Sequence, residues 1–78
     1  MRIDHDAVLR ALAMAERYIA EGKRHIRHQR EIIQLLASGG HDTAAAEALM
    51  RQFEEVQALR IADRDRLLKL ASNDDPAS

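Results

Sequence analysis

The segment EGKRHIRHQRE, residues 21–31, holds the residue types of this sequence that are best suited to chemistry. Lysine and arginine side chains bind nucleic acids by neutralising backbone phosphates. The segment carries four of them, at Lys23, Arg24, Arg27 and Arg30. However, Glu21 and Glu31 bracket them, the segment contains no aromatic residue on which a base could stack, and the net charge of the chain is −1. Nucleic-acid binding by these cations is therefore the alternative function, and a solvated, paired helix face is the preferred interpretation.

The same segment contains His25 and His28, three residues apart, with Glu21 four residues before His25. On a helix such side chains share a face and can converge on a metal ion. Metal sites in helical bundles use a Glu-x-x-His motif from each of two helices together with further glutamates, and the predicted second helix contains no histidine. The sequence therefore predicts no metal and no cofactor. A metal held by His25 and His28 of two copies at a symmetry axis stays as an alternative.

A third group, His41-Asp42-Thr43, lies in a glycine-containing turn. It lacks a neighbouring serine or cysteine nucleophile, and two helices alone offer no deep pocket. Asp42 is explained by helix capping, because its carboxylate can accept bonds from free amides at a helix start. We therefore expect a protein that is not an enzyme.

The elements that position these residues follow from composition and from one strong break. The 78 residues include one proline and no cysteine, and alanine, leucine, glutamate and arginine dominate, which predicts one all-α domain. The stretch ASGGHDT, residues 37–43, ends one helix with glycine and begins another with aspartate. The sequence predicts helix 1 at about 6–37, a turn at 38–42, helix 2 at about 43–71 and a flexible tail at 72–78. Helix 1 is expected to begin with Asp4 or Asp6 as its cap.

Two helices of similar length joined by a short turn predict an antiparallel, coiled-coil-like hairpin. Helix 1 has an unbroken 4,3 seam. It consists of Val8, Leu12, Ala15, Ile19, Gly22, Ile26, Gln29, Ile33 and Leu36. The corresponding seam predicted for helix 2 consists of Ala46, Leu49, Phe53, Val56, Arg60, Asp63, Leu67 and Leu70. The predicted register places Gly22 opposite Arg60, whose guanidinium would reach Glu21 or Tyr18. It also places Arg27 and His28 beside Glu55 and Glu54, and Glu16 and Glu21 beside Arg66 and Arg60.

The apolar residues outside this seam are too numerous for a lone hairpin to cover. They include Leu9, Ile32, Leu35, Met50, Leu59, Ile61 and Leu68. Pairing of two hairpins into a dimeric four-helix bundle would cover a wider stripe. The residues predicted to form the core and the interface are Leu12, Ile19, Ile26, Ile33, Leu49, Phe53, Val56 and Leu67. We expect a homodimer, or a protein heteropartner in its place, and a role in protein–protein interaction or regulation.

The chain has no run of 18 apolar residues, so no membrane span is predicted. Its first ten residues, MRIDHDAVLR, lack the apolar region of a secretory signal. A cytoplasmic location is the expectation.

The stretch from His25 to Glu55 carries a pattern HIxxQRxxIxxL at His25–Leu36, GHDT at Gly40–Thr43, and a leucine and Phe-Glu helix at Leu49–Glu54. Arg64–Leu68 completes it. With these motifs the chain resembles a group of short bacterial helical-hairpin proteins that have no established activity. The resemblance covers about half of the chain and implies a shared hairpin without implying a particular function.

Overall fold

A computed structural model describes residues 4–73. These residues form two α-helices, α1 at His5–Ser38 and α2 at Ala44–Asn73, and contain no strand. The helices pack against each other and together measure about 60 × 15 × 15 Å. The predicted all-helical two-helix fold is confirmed. The predicted flexible tail overlaps the end of α2 at residues 72 and 73, and its remaining part lies outside the described residues.

An aspartate that stands just before each helix accepts a hydrogen bond from a backbone amide in its first turn. Asp4 caps α1, since its Oδ1 accepts from the Ala7 amide at 3.2 Å. Asp42 Oδ1 accepts from the Ala44 amide at 2.9 Å, at the first residue of α2. These bonds satisfy amides that have no partner within the helix.

The turn between the helices is set by one glycine. The His41 amide donates to the Leu36 carbonyl at 2.8 Å, and the Gly40 amide donates to the Ala37 carbonyl at 3.1 Å. This pair of bonds is the Schellman motif, which requires a left-handed residue directly after the cap. Gly40 supplies it with φ of +74°, whereas Gly39 has an ordinary φ of −85°. The left-handed requirement therefore applies to Gly40 alone.

Contacts between the helices run in opposite directions along the two segments, which makes the pair antiparallel. Gln29 bonds to Ala46 near the turn, and Glu16 lies 3.8 Å from Arg64 near the open end. The predicted α1 seam is confirmed, because its nine positions are the buried or half-buried stripe of the helix.

The seam of α2 differs from the prediction at alternate positions. The buried or half-buried positions that follow one 4,3 stripe, beginning just before α2, are Thr43, Ala46, Met50, Phe53, Gln57, Arg60, Arg64, Leu67 and Ala71. The predicted Leu70 is half-buried as well, as are Ala48 and Ile61. The hairpin therefore buries Met50 and Gln57 where Leu49 and Val56 were predicted. The register is displaced as well, because Gly22 faces Gln57 rather than Arg60. Moving positions 49 and 56 to 50 and 57 exchanges the order of the three- and four-residue steps but keeps both step lengths. The predicted and the observed stripe of α2 therefore both satisfy the heptad pattern.

Candidate functional site

The hairpin buries little apolar surface of its own. The buried apolar residues of the described part are Val8, Ala15, Ile19 and Met50, of which Ile19 is the most enclosed at 3% exposure. Larger apolar side chains stay in contact with solvent, with Leu35 at 73% and Leu59 at 71% exposure. Apolar side chains scattered singly are ordinary on a protein surface, but a contiguous set marks an interaction site. The arrangement of the exposed set therefore decides its meaning.

Between residues 4 and 73, six of the eight large exposed apolar residues lie on one side of the hairpin. We call this side the cleft face and define it by Met14, Tyr18 and Leu35 on α1 and by Leu49, Val56 and Leu59 on α2. Within each helix these positions follow spacings of three, four or seven residues or their sums, so they share one stripe. The other two exposed residues, Leu9 and Leu68, lie on the opposite flank near the open end of the hairpin.

A cleft joins the two stripes and gives the cleft face its name. It has a volume of about 270 Å³. Its lining consists of Glu21, Gly22, His25, Phe53, Val56 and Arg60. Since His25 of α1 and Val56 of α2 line the same cleft, the exposed stripes of the two helices flank one groove. The groove is partly open to solvent, which suits a protein side chain better than an enclosed small molecule.

Arg60 is one of the residues that line the cleft. Its guanidinium donates to the Tyr18 carbonyl oxygen at 3.2 Å and lies 5.6 Å from the centre of the Tyr18 ring. The predicted contact between Arg60 and Tyr18 is thus present, although Arg60 does not face Gly22. The position over the ring is a cation–π contact, which holds the arginine stem along the apolar surface.

The exposed His25 ring lies near that of Phe53. The ring centre of His25 lies 5.8 Å from that of Phe53, with a 31° angle between the planes.

Within residues 4–73 no group of three or more histidine, aspartate or glutamate side chains is placed to hold a metal ion. One hairpin therefore offers no such cluster around His25 and His28, and the two-copy metal alternative stays a prediction.

Two glutamines are buried in the helix interface. Gln29 was predicted in the seam, and its Nε2 donates to the Ala46 carbonyl at 2.8 Å. Gln57 was missed, although it is only 7% exposed and its Nε2 donates to the Ile19 carbonyl at 2.9 Å. Met50, Phe53 and Gln57 keep the same 4,3 spacing, which is the sequence signal for Gln57, but hydrophobicity favours the neighbouring Val56 as a seam residue. Both amides cross from one helix to the backbone of the other, which ties the register to specific bonds.

The predicted core and interface residues separate into two groups. Ile19 is buried in the hairpin, and five others are half-buried along its seam, namely Leu12, Ile26, Ile33, Phe53 and Leu67. Leu49 and Val56 are 41% and 44% exposed, so they are not core residues of the single hairpin and lie on the cleft face instead. Their place in an interface between two chains stays a prediction.

The four cations proposed as alternative nucleic-acid contacts are all exposed, at Lys23, Arg24, Arg27 and Arg30. The spacing of Lys23, Arg27 and Arg30 places them on one stripe of α1, away from the His25 stripe that borders the cleft. Among residues 4–73, Glu16 pairs across the helix interface with Arg64 at 3.8 Å, in place of the predicted pairing with Arg66. Arg66 lies beside Asp63 of its own helix at 3.4 Å. Such exposed pairs contribute about 0–1 kcal/mol.

No helix in the described part of the chain is long and apolar enough to cross a membrane. Comparisons with protein families, with curated proteins and with solved structures found no match to the chain.

Proposed function

We propose that this protein is a non-enzymatic helical hairpin that works as a protein–protein interaction module and associates with itself as a homodimer, in the form of a four-helix bundle. The observation that carries the proposal is that α2 has polar residues on the side facing α1 and large apolar residues on a side facing solvent. The helix turns Gln57, Arg60 and Arg64 towards its partner helix while it leaves Leu49, Val56 and Leu59 in contact with solvent. A helix of an isolated hairpin is expected to bury its most apolar stripe.

The energetics of a small chain support the same proposal. A chain of this length buries a small fraction of its surface when it folds alone. In the described part, the interface between α1 and α2 has four buried apolar residues and no disulfide, because the chain has no cysteine. Each large apolar side chain that a second chain covers contributes about 1.5–3 kcal/mol, so a few of them amount to the whole stability of a small domain. Association is the remaining source of stability.

Thermal unfolding at several protein concentrations tests the proposal. If folding is coupled to dimer formation, the midpoint rises with concentration, because association acts on the folded state alone. Between roughly 2 and 200 μM we expect a rise of several degrees, as an unfolding free energy that changes by 1 kcal/mol shifts the midpoint of a small domain by about 4–8 °C. A midpoint that does not depend on concentration would show a hairpin that is stable by itself.

A further inference from the structure

Both flanks of the hairpin carry charges of both signs. On α1 the flank opposite the cleft carries Lys23 and Arg30, and Glu16 lies on the same seven-residue stripe; on α2, Glu47 and Glu54 share the stripe of Leu68. The cleft face also mixes signs, since Glu21 lies among Arg60 and His25 in the cleft lining. A patch of mixed sign can meet its own copy without net repulsion. Charge therefore permits either flank, and the apolar surface decides between them.

The apolar content of the two flanks differs. The cleft face has exposed apolar residues along most of its length, from Met14 on α1 and Leu59 on α2 to Leu35 and Leu49 beside the turn. On the opposite flank the large exposed residues, Leu9 and Leu68, are both near the open end. A two-fold interface uses one patch of each subunit twice, so a patch must be complementary to itself. Of the two flanks, the cleft face has the longer apolar surface for such a self-complementary patch.

The size of the face matches the requirement of a dimer. A side of a hairpin that measures 60 by 15 Å offers on the order of 900 Å². Stable protein–protein interfaces bury about 800 Å² on each partner. From these observations we infer that the cleft face is the docking surface for a second copy of this chain, and that the opposite flank of α1 stays in solvent. The inference rests on the proposed self-association and specifies its surface.

Four matched variants test which face is used. Leu35→Glu and Leu59→Glu each place a carboxylate on the cleft face, whereas Leu9→Glu and Leu68→Glu make the same change on the opposite flank. All four leucines are exposed in the single hairpin, so the substitutions leave its interior unchanged. Burial of an unpaired carboxylate at an interface should weaken dimerisation about 30-fold or more for the first two variants. We expect a change of less than about 3-fold for the two controls.

A second measurement follows the solvent accessibility of each flank without introducing a charged residue. Because the chain has no cysteine, Leu35→Cys and Leu68→Cys each introduce a single thiol, whose reaction with a maleimide can be followed at rising protein concentration. The thiol at position 35 should react about 10-fold more slowly in the concentrated sample, since dimerisation removes it from solvent. The thiol at position 68 should react at a constant rate. Dimerisation of the parent chain together with protection of position 68, or with loss of association in the Leu9 and Leu68 variants alone, would overturn the choice of face. A monomeric parent chain would overturn the proposed function itself.

Discussion

The carboxamide of Gln57 occupies the space that a side chain at position 22 would fill, so Gln57 and Gly22 form a matched pair within the helix interface. Gln57 Nε2 donates to the Ile19 carbonyl oxygen, and its buried Oε1 has no conventional hydrogen-bond partner. Glycine has a Cα–H bond in the direction in which other residues carry their β-carbon, and at Gly22 this direction points at Gln57 Oε1. This is the geometry of a weak C–H···O contact. Gly22 is therefore explained by the close approach of a polar side chain from the opposite helix.

Gly22→Ala should destabilise the hairpin by about 1 kcal/mol. A β-carbon at position 22 would lie 2.7 Å from Gln57 Cδ, so the amide must move and give up its bond to Ile19. The loss of a buried hydrogen bond costs about 1–3 kcal/mol, whereas alanine gains up to about 1 kcal/mol over glycine in a helix. Urea unfolding measures the difference.

The control for this prediction is the same substitution in a Gln57→Ala background. With the amide removed, the methyl group fills vacant space and the helix propensity of alanine acts alone, so Gly22→Ala should stabilise by up to about 1 kcal/mol. The sign of the effect therefore reverses between the two backgrounds. Equal effects in both would show that Gly22 and Gln57 are not coupled.

Gly40→Ala should cost about 1–2 kcal/mol because φ at this position is +74° and a β-carbon there meets the following carbonyl. Gly39→Ala is the matched control. Its φ is −85°, and the added methyl group would lie 2.9 Å from the His41 ring and at an ordinary contact distance of 3.6 Å from the Leu35 carbonyl oxygen. The His41 side chain is exposed and can rotate away. We expect a change within about 0.5 kcal/mol for Gly39→Ala. Chemical denaturation of both variants checks the pair, and equal losses would contradict the assignment of the left-handed position.

Ile26→Asp should unfold or dissociate the protein, because it places a carboxylate in the half-buried α1 seam. Arg24→Glu reverses a charge two residues away on the exposed surface and should change stability by no more than about 0.5 kcal/mol. Thermal melts followed by circular dichroism distinguish the variants. If Ile26→Asp melted at the same temperature as the parent protein, the α1 seam would not be the source of its stability.

The features that could be predicted from the sequence are those with a local cause. Aspartate caps, a left-handed glycine and the 4,3 stripe from Val8 to Leu36 act through neighbours in the chain, and α1 and the turn follow from them. The α2 seam could not be chosen in this way, because two adjacent stripes both fit the heptad spacing. The two stripes share every second position, and where they differ, the apolar Leu49 and Val56 are exposed while Met50 and Gln57 are buried.

The choice between these stripes depends on contacts distant in sequence. Gln57 fits the interface because Gly22, 35 residues earlier, leaves room for its amide, and because the Ile19 carbonyl is within its reach. Hydrophobicity alone ranks a glutamine below a valine as a core residue. The cleft could not be predicted from spacing along the sequence either, because α1 and α2 each contribute part of its lining.

The alternative nucleic-acid function is tested by salt dependence. The proposed function predicts no measurable binding of random duplex DNA by this protein even at low salt, where contacts between cations and phosphates are strongest. Fluorescence anisotropy of a labelled duplex measures this directly. Binding that weakens steeply as salt is added, and that is lost on Lys23→Glu together with Arg27→Glu, would favour the alternative. The matched control pair for that result is Arg10→Glu together with Arg17→Glu, on exposed positions nearer the start of α1.

Sedimentation equilibrium over a wide concentration range tests the central claim most directly. If a second chain covers the apolar side chains that the hairpin leaves exposed, the mass should rise with concentration to a plateau at twice the 8.8 kDa of the chain. The same plateau is expected after treatment with a chelator, since apolar contact rather than a metal ion joins the chains. A single 8.8 kDa species at every concentration, with the helices folded, would contradict the claim.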